Sequence, residues 1–257
     1  MVNQRKRELD SICTTPVIRL DDRDHPCVYL PDQVAKMPMI YPMRPLLPTE
    51  FDAYLEHGRR RSGAFLYHTE CAACSSCEPT RLKVDEFRLT ASLKRVLHRG
   101  DREIRVEVAS PQVEPTRLAL FNSHRTEREL DVNEAEYGVM EFESFLVETC
   151  CETKELSFWI SEKLIGCTII DCGAVSVSAV YTYFDPAYSR FSPGTYSILK
   201  QIEFTKQTNR RYLYLGMFVN KNRHLRYKGR FVPQERYIDG KWIPFDTSVE
   251  HWSSPEP

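Results

Sequence analysis

Four cysteines in the first third of the chain have the spacing of a metal or redox site. Cys71, Cys74 and Cys77 stand at three-residue intervals in the stretch CAACSSC, and Cys27 lies upstream in HPCVYLP. Thiols at this spacing can converge on one soft cation, and a fourth thiol would complete a site for zinc or an iron–sulfur cluster. Reduced, partly buried cysteines that are sensitive to oxidation are the competing interpretation.

The composition favours a reduced, cytoplasmic setting. The chain has 257 residues, of which 42% are hydrophobic, so it can bury a sizeable core. Its nine cysteines are an odd number, and its first residues lack the apolar segment of a signal peptide. No apolar run reaches the roughly 18 residues of a membrane-spanning helix. We therefore expect a cytoplasmic protein with free thiols and no membrane partner.

Charge is distributed unevenly along the chain, although the formal net charge is only −1. Residues 88–105 carry six Lys or Arg against two acids, and residues 221–230 carry five Lys or Arg and no acid. Residues 127–148 carry eight acids against one arginine. The two basic stretches predict a surface that faces a polyanion such as nucleic acid, and solvated helix faces are the alternative.

The first half of the chain has the pattern of a small module that contains the cysteines. A helix is predicted from Thr49, a suitable N-cap, to a stop at Gly58. The stretch PTRLKVDEFRL alternates as a strand does, and TASLKRVLHRG predicts a basic helix closed by Gly100. We place an N-terminal extension at residues 1–24 and a Cys-containing N-terminal domain at residues 25–95.

The second half alternates like a β-meander and then adds a helix and a strand. Three β-rich runs are separated by short turns at SEK and DCG. Ser192 and Pro193 then begin a helix, and RYLYLGMFV predicts a further strand. This order is typical of acetyltransferase-like α+β domains, in which helices flank a mostly antiparallel sheet. We place this C-terminal domain at residues 96–245 and a disordered tail at residues 246–257.

Several motifs occur together in one order: HPCVYLP, GRRRSG, CAACSSCEPTRL, YTYFDPAYSRFSPGTYSILKQIE, RYLYLGMFV and YKGRF. They closely resemble the aminoacyl-tRNA protein transferases, in particular the bacterial branch that places leucine on proteins beginning with Asp or Glu. The resemblance covers about residues 25–242. It implies a small Cys-containing N-terminal domain packed on an acetyltransferase-like C-terminal domain. The implied reaction moves an aminoacyl group from tRNA to an N-terminal amine, which creates a degradation signal of the N-degron pathway.

The chain departs from the family pattern at three places. Members usually read FRRSG where this chain has RRRSG, and SLGT where it has SPGT. Many continue a late strand as YLGYW, whereas Met217 and Phe218 follow Gly216 here. Met217 in place of an aromatic residue bears on the aminoacyl pocket, so arginyl transfer is the nearest alternative to leucyl transfer.

Positioning is most of the chemistry that such a reaction needs, because the ester that links an amino acid to tRNA is already activated. The attacking α-amine has a pKa of about 7.7–8.0, so part of it is neutral near pH 7. Gly194 and Thr195 present unpaired backbone N–H groups at a helix start, which can hold a phosphate or a developing oxyanion. Asp185 is the candidate general base, and a turn-forming role before Pro186 is the alternative. No cofactor is required for this chemistry.

Recognition of an acidic N-terminal residue needs a cation, and the fork of arginine grips a carboxylate with two hydrogen bonds. We therefore predict that Arg60 and Arg61, followed by Ser62, bind the acceptor's acidic side chain; pairing with acids of the fold or with tRNA phosphate is the alternative. The basic residues predicted to bind tRNA are Lys94, Arg95, Arg99, Arg223, Arg226, Lys228 and Arg230. The possible stacking partners for the terminal bases are Tyr181, Tyr183 and Tyr214.

The resemblance also bears on the cysteines. Eukaryotic relatives carry a cysteine quartet in the matching regions and are associated with a metal or cluster, although Leu30 stands where their first CxxC pair would end. Two other function classes stay open. An acyl-CoA-dependent N-acetyltransferase would share the fold, but only SPGT stands where a Gly-rich pyrophosphate loop is expected. A non-enzymatic, Cys-metal RNA-binding adaptor would need an inactive pocket.

Overall fold

The computed structural model describes residues 13–20, 23–128 and 135–245. The α-helices in these ranges are α1 Pro48–Glu56, α2 Ala91–Asp101, α3 Pro115–Glu127, α4 Val139–Phe142 and α5 Pro193–Gln207. One π-helical turn follows α4 at Glu143–Val147, and 3₁₀ segments span Pro186–Phe191 and Arg226–Arg230. The strands are β1 Val17–Leu20, β2 His25–Pro26, β3 Val34–Ala35, β4 Met39–Pro42, β5 Arg60–Ser62, β6 Phe65–Tyr67, β7 Glu78–Lys83, β8 Arg105–Ala109, β9 Glu152–Ile160, β10 Lys163–Cys172, β11 Ser176–Phe184, β12 Tyr212–Phe218, β13 Gln234–Ile238 and β14 Lys241–Phe245.

Eight strands form one large sheet in the order β14-β13-β7-β12-β11-β10-β9-β8. Within the described residues its neighbouring strands are antiparallel, except that β11 and β12 run parallel. A parallel pair needs a crossover connection, and α5 supplies it while packing on both strands. The predicted α+β class, with a large and mostly antiparallel sheet and helices, is confirmed.

The first part of the chain contributes to two further sheets and to the large one. One sheet has the order β1-β4-β6-β5, and β2 pairs with β3. β7 belongs to the predicted N-terminal domain but lies inside the large sheet, between β12 and β13. The two predicted domains therefore share a sheet, and the division at residues 24, 95 and 245 stays a prediction. Most of the predicted extension and all of the predicted tail lie outside the described residues.

The predicted meander and the elements that follow it are confirmed. β9, β10 and β11 pair in sequence, with short connections at residues 161–162 and 173–175. α5 begins at Pro193 and β12 at Tyr212, as the proline at the first helical position and the apolar runs indicate. The second basic stretch, residues 221–230, contains the 3₁₀ segment Arg226–Arg230.

The main core lies between the large sheet and the helices α2 and α5. Its fully buried side chains include Leu82, Val84, Leu156, Ile170, Val177, Leu199 and Leu213. Gly100 was predicted to close α2 but lies inside it, and a Cβ there would be 2.2 Å from the ring of Tyr196. This glycine therefore lets α2 and α5 approach each other. None of the described helices is both long and apolar enough to cross a membrane.

Glu50 ties the N-terminal segment to α1. Its carboxylate accepts hydrogen bonds from the backbone N–H groups of Thr14 (2.8 Å), Thr15 (2.8 Å) and Leu47 (2.9 Å), and from the Thr15 hydroxyl (2.7 Å). Thr49, predicted as the N-cap, lies inside the helix, because the cap position is Leu47. Burial by itself would raise the pKa of Glu50, but these hydrogen bonds outweigh it and lower the pKa from 4.5 to about 2.

Replacing Glu50 by Gln is expected to destabilise the fold by about 2–3 kcal/mol at pH 7. A lowered folded-state pKa stabilises the protein above the unfolded-state pKa, and this contribution disappears as the pH falls from 4.5 towards about 2. Urea unfolding of wild type and E50Q at pH 7 and pH 3 measures it, with the exposed Glu162→Gln as control. A stability difference between wild type and E50Q that does not shrink at pH 3 would contradict the assignment.

Candidate functional site

The parallel strands β11 and β12 separate after a short paired segment. They pair over three positions, Ser176 with Tyr212 through Ser178 with Tyr214. Beyond this segment β11 continues beside β10 and β12 continues beside β7, so a gap opens between residues 179–184 and residues 215–218. Backbone carbonyl groups that would otherwise join the two strands face this gap. Its polar lining is the candidate active site.

Two cations occupy the start of the gap, one on each wall. Arg60 of β5 donates from Nη2 to the carbonyl of Ala179 on β11 at 2.5 Å. Lys228, in the 3₁₀ segment after β12, donates from Nζ to the carbonyl of Met217 on β12 at 3.0 Å. Both approach the α-carbon of Gly216, because a Cβ placed there would lie 3.0 Å from Lys228 Nζ and 3.4 Å from Arg60 Nη2.

This pair of cations is shielded from water and lacks a full set of partners. Arg60 is 4% exposed, and its Nη1 has no hydrogen-bond partner. Burial lowers the pKa of Arg60, and the half-buried Tyr67 and then Asp171 partly oppose this shift. Lys228 is half-buried as a residue, but burial of its ammonium group, aided by the charge of Arg60, lowers its pKa from 10.5 to about 7. An anion that entered the gap would be strongly stabilised here.

The predicted metal cysteines lie beside this pocket. Cys27, Cys74 and Cys77 pack around Met217 and the residues Leu30 and Val219. Burial and the three other predicted cysteines raise the pKa of the Cys77 thiol to about 12, so the four side chains form one cluster. Tyr29 and Tyr67 share a hydrogen bond between this cluster and Arg60. In the described ranges, however, no set of three His, Cys, Asp or Glu side chains is arranged to hold a metal ion.

Arg61, predicted together with Arg60 to bind the acceptor, is engaged inside the fold. Its Nε donates to Asp171 at 2.7 Å, and neither side chain has exposed surface. Its Nη1 donates to the carbonyls of Gly63 and Glu148 at 2.9 and 3.0 Å. Ser62 pairs with Phe65 in the β5–β6 hairpin. The structure therefore separates the two arginines: Arg60 faces the gap, and Arg61 faces a buried carboxylate.

The predicted catalytic and oxyanion residues lie at the far end of β11. The Asp185 carboxylate accepts from the backbone N–H of Ala187 and from Lys163 Nζ, both at 2.9 Å, which is the alternative turn-forming role. Ser192 precedes α5 with a left-handed backbone (φ 51°) and does not cap it with its side chain. The start of α5 at Gly194 is open, because a Cβ there would meet only Phe184, at 3.7 Å.

The residues predicted to bind RNA fall into a surface group and an internal one. Lys94, Arg95 and Arg99 of α2, together with His98 and Arg102, line an open depression of about 450 Å³. Arg99 also donates to the carbonyl of Arg190. This contact places the basic face of α2 beside the segment that precedes α5. Among the residues predicted from the second basic stretch, the exposed ones are Arg223 and Arg230, and the half-buried ones are Arg226 and Lys228.

Three of the RNA-binding predictions need correction. Lys228 directs its ammonium group inward to Met217, so it does not share the surface of the other basic residues. Tyr183 and Tyr214 are 0% and 2% exposed, and such rings cannot stack on a base. Tyr181 is half-buried against Phe121. Strand alternation showed these tyrosines in the sequence but not which face of the sheet is covered.

Replacing Gly216 by Ala is expected to lower transfer activity at least about tenfold. Its φ of +90° strains any other residue by about 1–2 kcal/mol, and the new Cβ would press on both cations. Gly240→Ala is the matched control, because Gly240 also has a positive φ (+78°) but lies in the β13–β14 turn. Both variants should lose similar stability in urea unfolding, and only G216A should lose activity in transfer assays. Equal activities would remove Gly216 from the site.

Two family models and several sequence relatives match this chain. A family model described as "Arginine-tRNA-protein transferase, N terminus" matches residues 25–95, and its C-terminal counterpart matches residues 116–238. "Aspartate/glutamate leucyltransferase" of Acinetobacter baumannii is 32% identical over 90% of this chain and 84% of its own length. The proteins of that name from Methylobacillus flagellatus and Stenotrophomonas maltophilia are each 31% identical, over 90% and 88% of this chain and 92% of their own.

Solved structures match more distantly. The crystal structure of FemX has a TM-score of 0.42 and 7% identity, with 82% of each chain covered. The C-terminal domain of a lysylphosphatidylglycerol synthetase from Agrobacterium fabrum has a TM-score of 0.44 and 13% identity, with 56% of this chain and 46% of that chain covered. The family models and the sequence relatives confirm the resemblance seen in the motifs: the chain belongs to the arginine-tRNA-protein transferase family.

Proposed function

We propose that this aminoacyltransferase moves leucine from leucyl-tRNA to the α-amine of proteins that begin with Asp or Glu. The observation that carries the proposal is the guanidinium of Arg60, which is buried at the gap between β11 and β12 and whose hydrogen-bond partner among the described residues is a backbone carbonyl and not a carboxylate. A buried charge without a counter-ion is costly, and a carboxylate of the acceptor would neutralise it with charge-assisted hydrogen bonds. The names of the relatives support the same acceptor class and leucine as donor.

The proposed reaction takes place in this gap. The acceptor's α-amine nitrogen attacks the ester carbonyl carbon of the aminoacyl-tRNA, and a C–N amide bond forms as the ester C–O bond breaks. The terminal ribose hydroxyl leaves with a proton, and the amine loses one. Neither a nucleotide nor an acyl-enzyme is needed, so alignment of the two substrates supplies most of the rate. Asp185 remains a proposed base only if its contacts with Lys163 and Ala187 open.

The donor is placed at the open end of the gap. Gly194 and Thr195 lie in the first turn of α5, where backbone N–H groups suit a bound anion or a developing oxyanion. The basic face of α2 leads to this helix start and suits tRNA phosphates. Met217, at 4% exposure beside the cysteine cluster, would contribute to the pocket for the transferred side chain. An apolar lining favours leucine over arginine.

A metal at Cys27, Cys71, Cys74 and Cys77 stays a separate proposal. Four clustered thiols are the donor set that zinc or an iron–sulfur cluster takes, but the described side chains are not arranged as ligands. No step of the proposed reaction uses a metal. Elemental analysis of the purified protein, with serine at Cys74 and Cys77 as control, tests it. The cytoplasmic location and the role of the product as a degradation signal belong to the proposed leucyl transfer and not to the metal proposal.

The test is transfer of radiolabelled leucine or arginine, each supplied on its tRNA, to matched peptides that begin with Asp, Glu, Asn or Ala. Leucine on the Asp and Glu peptides alone is the expected result. Arginine on the same peptides would keep the family and change the donor. Transfer from an acyl-CoA would point to an N-acetyltransferase, and no transfer from any donor would favour an RNA-binding adaptor.

A further inference from the structure

Arg60 and Lys228 lack the carboxylate partner that the other fully buried arginines of the described residues have. Arg61, for example, pairs with Asp171 and Arg117 with Glu155, at 2.7 and 2.9 Å. In the described part of the chain, the hydrogen bonds of Arg60 and Lys228 go to backbone carbonyls only. Each of the two is tied to a different wall of the gap. These hydrogen bonds therefore hold both side chains in place when the gap is empty, and no carboxylate is needed to do so.

Arg60 and Lys228 come together beside Gly216, at one corner of the gap. This placement of two cations is unfavourable until an anion binds. Arg60 and Lys228 approach the same point above Gly216, within 3.4 and 3.0 Å of it, so one carboxylate can contact both. Like charges at this separation repel each other, and neither has bulk water around it. A bound carboxylate would replace this repulsion with two attractions. A structural lysine would gain nothing from such a position.

We propose that Lys228 binds the acidic side chain of the acceptor together with Arg60, and that a proton binds with that side chain. The inference rests on the proposed function, because it names a second residue of the same acceptor site. The ligand class is a side-chain carboxylate at the N-terminus of a peptide. This role takes Lys228 away from the residues that contact tRNA and gives it a part in acceptor specificity.

The uptake of a proton on binding follows from the charged and titratable groups around this corner of the gap. Lys228 has a pKa of about 7 without ligand, so much of it is neutral at pH 7.5, and a bound carboxylate favours its charged form and raises that pKa. The other groups that face the corner do not titrate there. Arg60 stays charged, and burial raises the pKa of Tyr67 and Tyr214, so both stay neutral. Asp171 is held by Arg61.

Tyr29 and Cys77 complete the surroundings of the corner. The pKa of Tyr29 is raised by its neighbour Tyr67 and by burial, and burial raises the pKa of Cys77 to about 12. Both groups are therefore neutral near pH 7. Cys74 also packs against Met217, and hydrogen bonds from Ser76 lower the pKa of its thiol, but it contributes equally to wild type and K228R. The difference in proton uptake between these two proteins near pH 7.5 can then be assigned to Lys228.

The test is isothermal titration of an Asp-initiated peptide into the full chain at pH 7.5, in two buffers with different heats of ionisation. The wild type is expected to take up about 0.7 more protons per site than Lys228→Arg, because about three quarters of a lysine with a pKa near 7 is neutral at this pH and arginine is always charged. The peptide's own α-amine contributes equally to both proteins. Lys228→Met should bind about 10–100-fold more weakly.

The controls separate this inference from the proposed function. Lys241→Met, an exposed lysine of β14, should bind and take up protons as wild type does. Equal proton uptake by wild type and K228R would overturn the inference, and so would K228M with wild-type affinity. If leucine is still transferred to the Asp peptide in those cases, the proposed function survives. If the wild type neither binds nor leucylates any Asp or Glu peptide, both fail.

Discussion

Replacing Arg60 by Met is expected to lower kcat/KM for leucyl transfer to an Asp-initiated peptide by about 10²–10³-fold while changing the stability of the fold by less than about 1 kcal/mol. Loss of a buried, charge-assisted contact with a carboxylate costs about 3–4 kcal/mol, which is this factor in rate. The free protein should lose little stability, because removal of the buried guanidinium relieves a desolvation cost that offsets the loss of its hydrogen bond to the Ala179 carbonyl. Initial rates and urea unfolding of the same preparation measure the two quantities.

The variant Arg59→Met is the matched control. Arg59 precedes the same strand but contacts His68 at 3.2 Å and no atom of the gap-facing carbonyls. It should transfer leucine within about twofold of wild type. R60M should also lose its preference for Asp over Asn at the acceptor's first position, since the uncharged amide does not need the cation. Unchanged kcat/KM in R60M, or an equal loss in R59M, would place the acceptor elsewhere.

Local patterns were enough to predict most elements of the fold. The alternation of residues 152–184 predicts the meander, and Ser192 followed by Pro193 predicts the start of α5. These patterns succeed because side-chain alternation and the preference of proline for the first helical position act over a few residues. Thr49 failed as an N-cap because Glu50 accepts a hydrogen bond from the backbone N–H of Leu47, so α1 begins before Thr49, at Pro48. β7 could not be assigned to the large sheet from its own residues.

The site was predicted in its chemistry but not in its arrangement. An arginine for an acidic acceptor follows from charge, but Arg60 and Arg61 are adjacent in sequence and chemically identical. Only the fold shows that Asp171, 110 positions away, takes Arg61. Lys228 was grouped with its exposed neighbours because the sequence of a basic stretch does not show which side chain points inward. Lys228 belongs to the motif YKGRF, which identifies a family but does not show where the lysine side chain points.

Replacing Asp171 by Ala is expected to cost about 3–5 kcal/mol of unfolding free energy, because it leaves Arg61 charged and unpaired where no surface is exposed. Thr153 also donates to Asp171, at 2.7 Å, so a second buried group would lose its partner. Urea unfolding measures the loss. The exposed pair of Arg190 and Glu103, with side chains 65% and 49% exposed, is the control, and Glu103→Ala should cost less than about 1 kcal/mol.

The double variant Arg61→Met, Asp171→Leu decides what this buried pair does. Replacing both charges by apolar groups of similar size removes the desolvation cost together with the attraction, so most of the stability lost in D171A should return. If Arg61 only positions β5, the double variant should also keep its preference for Asp over Asn peptides, because Arg60 still faces the gap. A stable double variant that leucylates both peptides equally would show that Arg61 reads the acceptor. A D171A variant as stable as wild type would show that Arg61 does not depend on the Asp171 carboxylate.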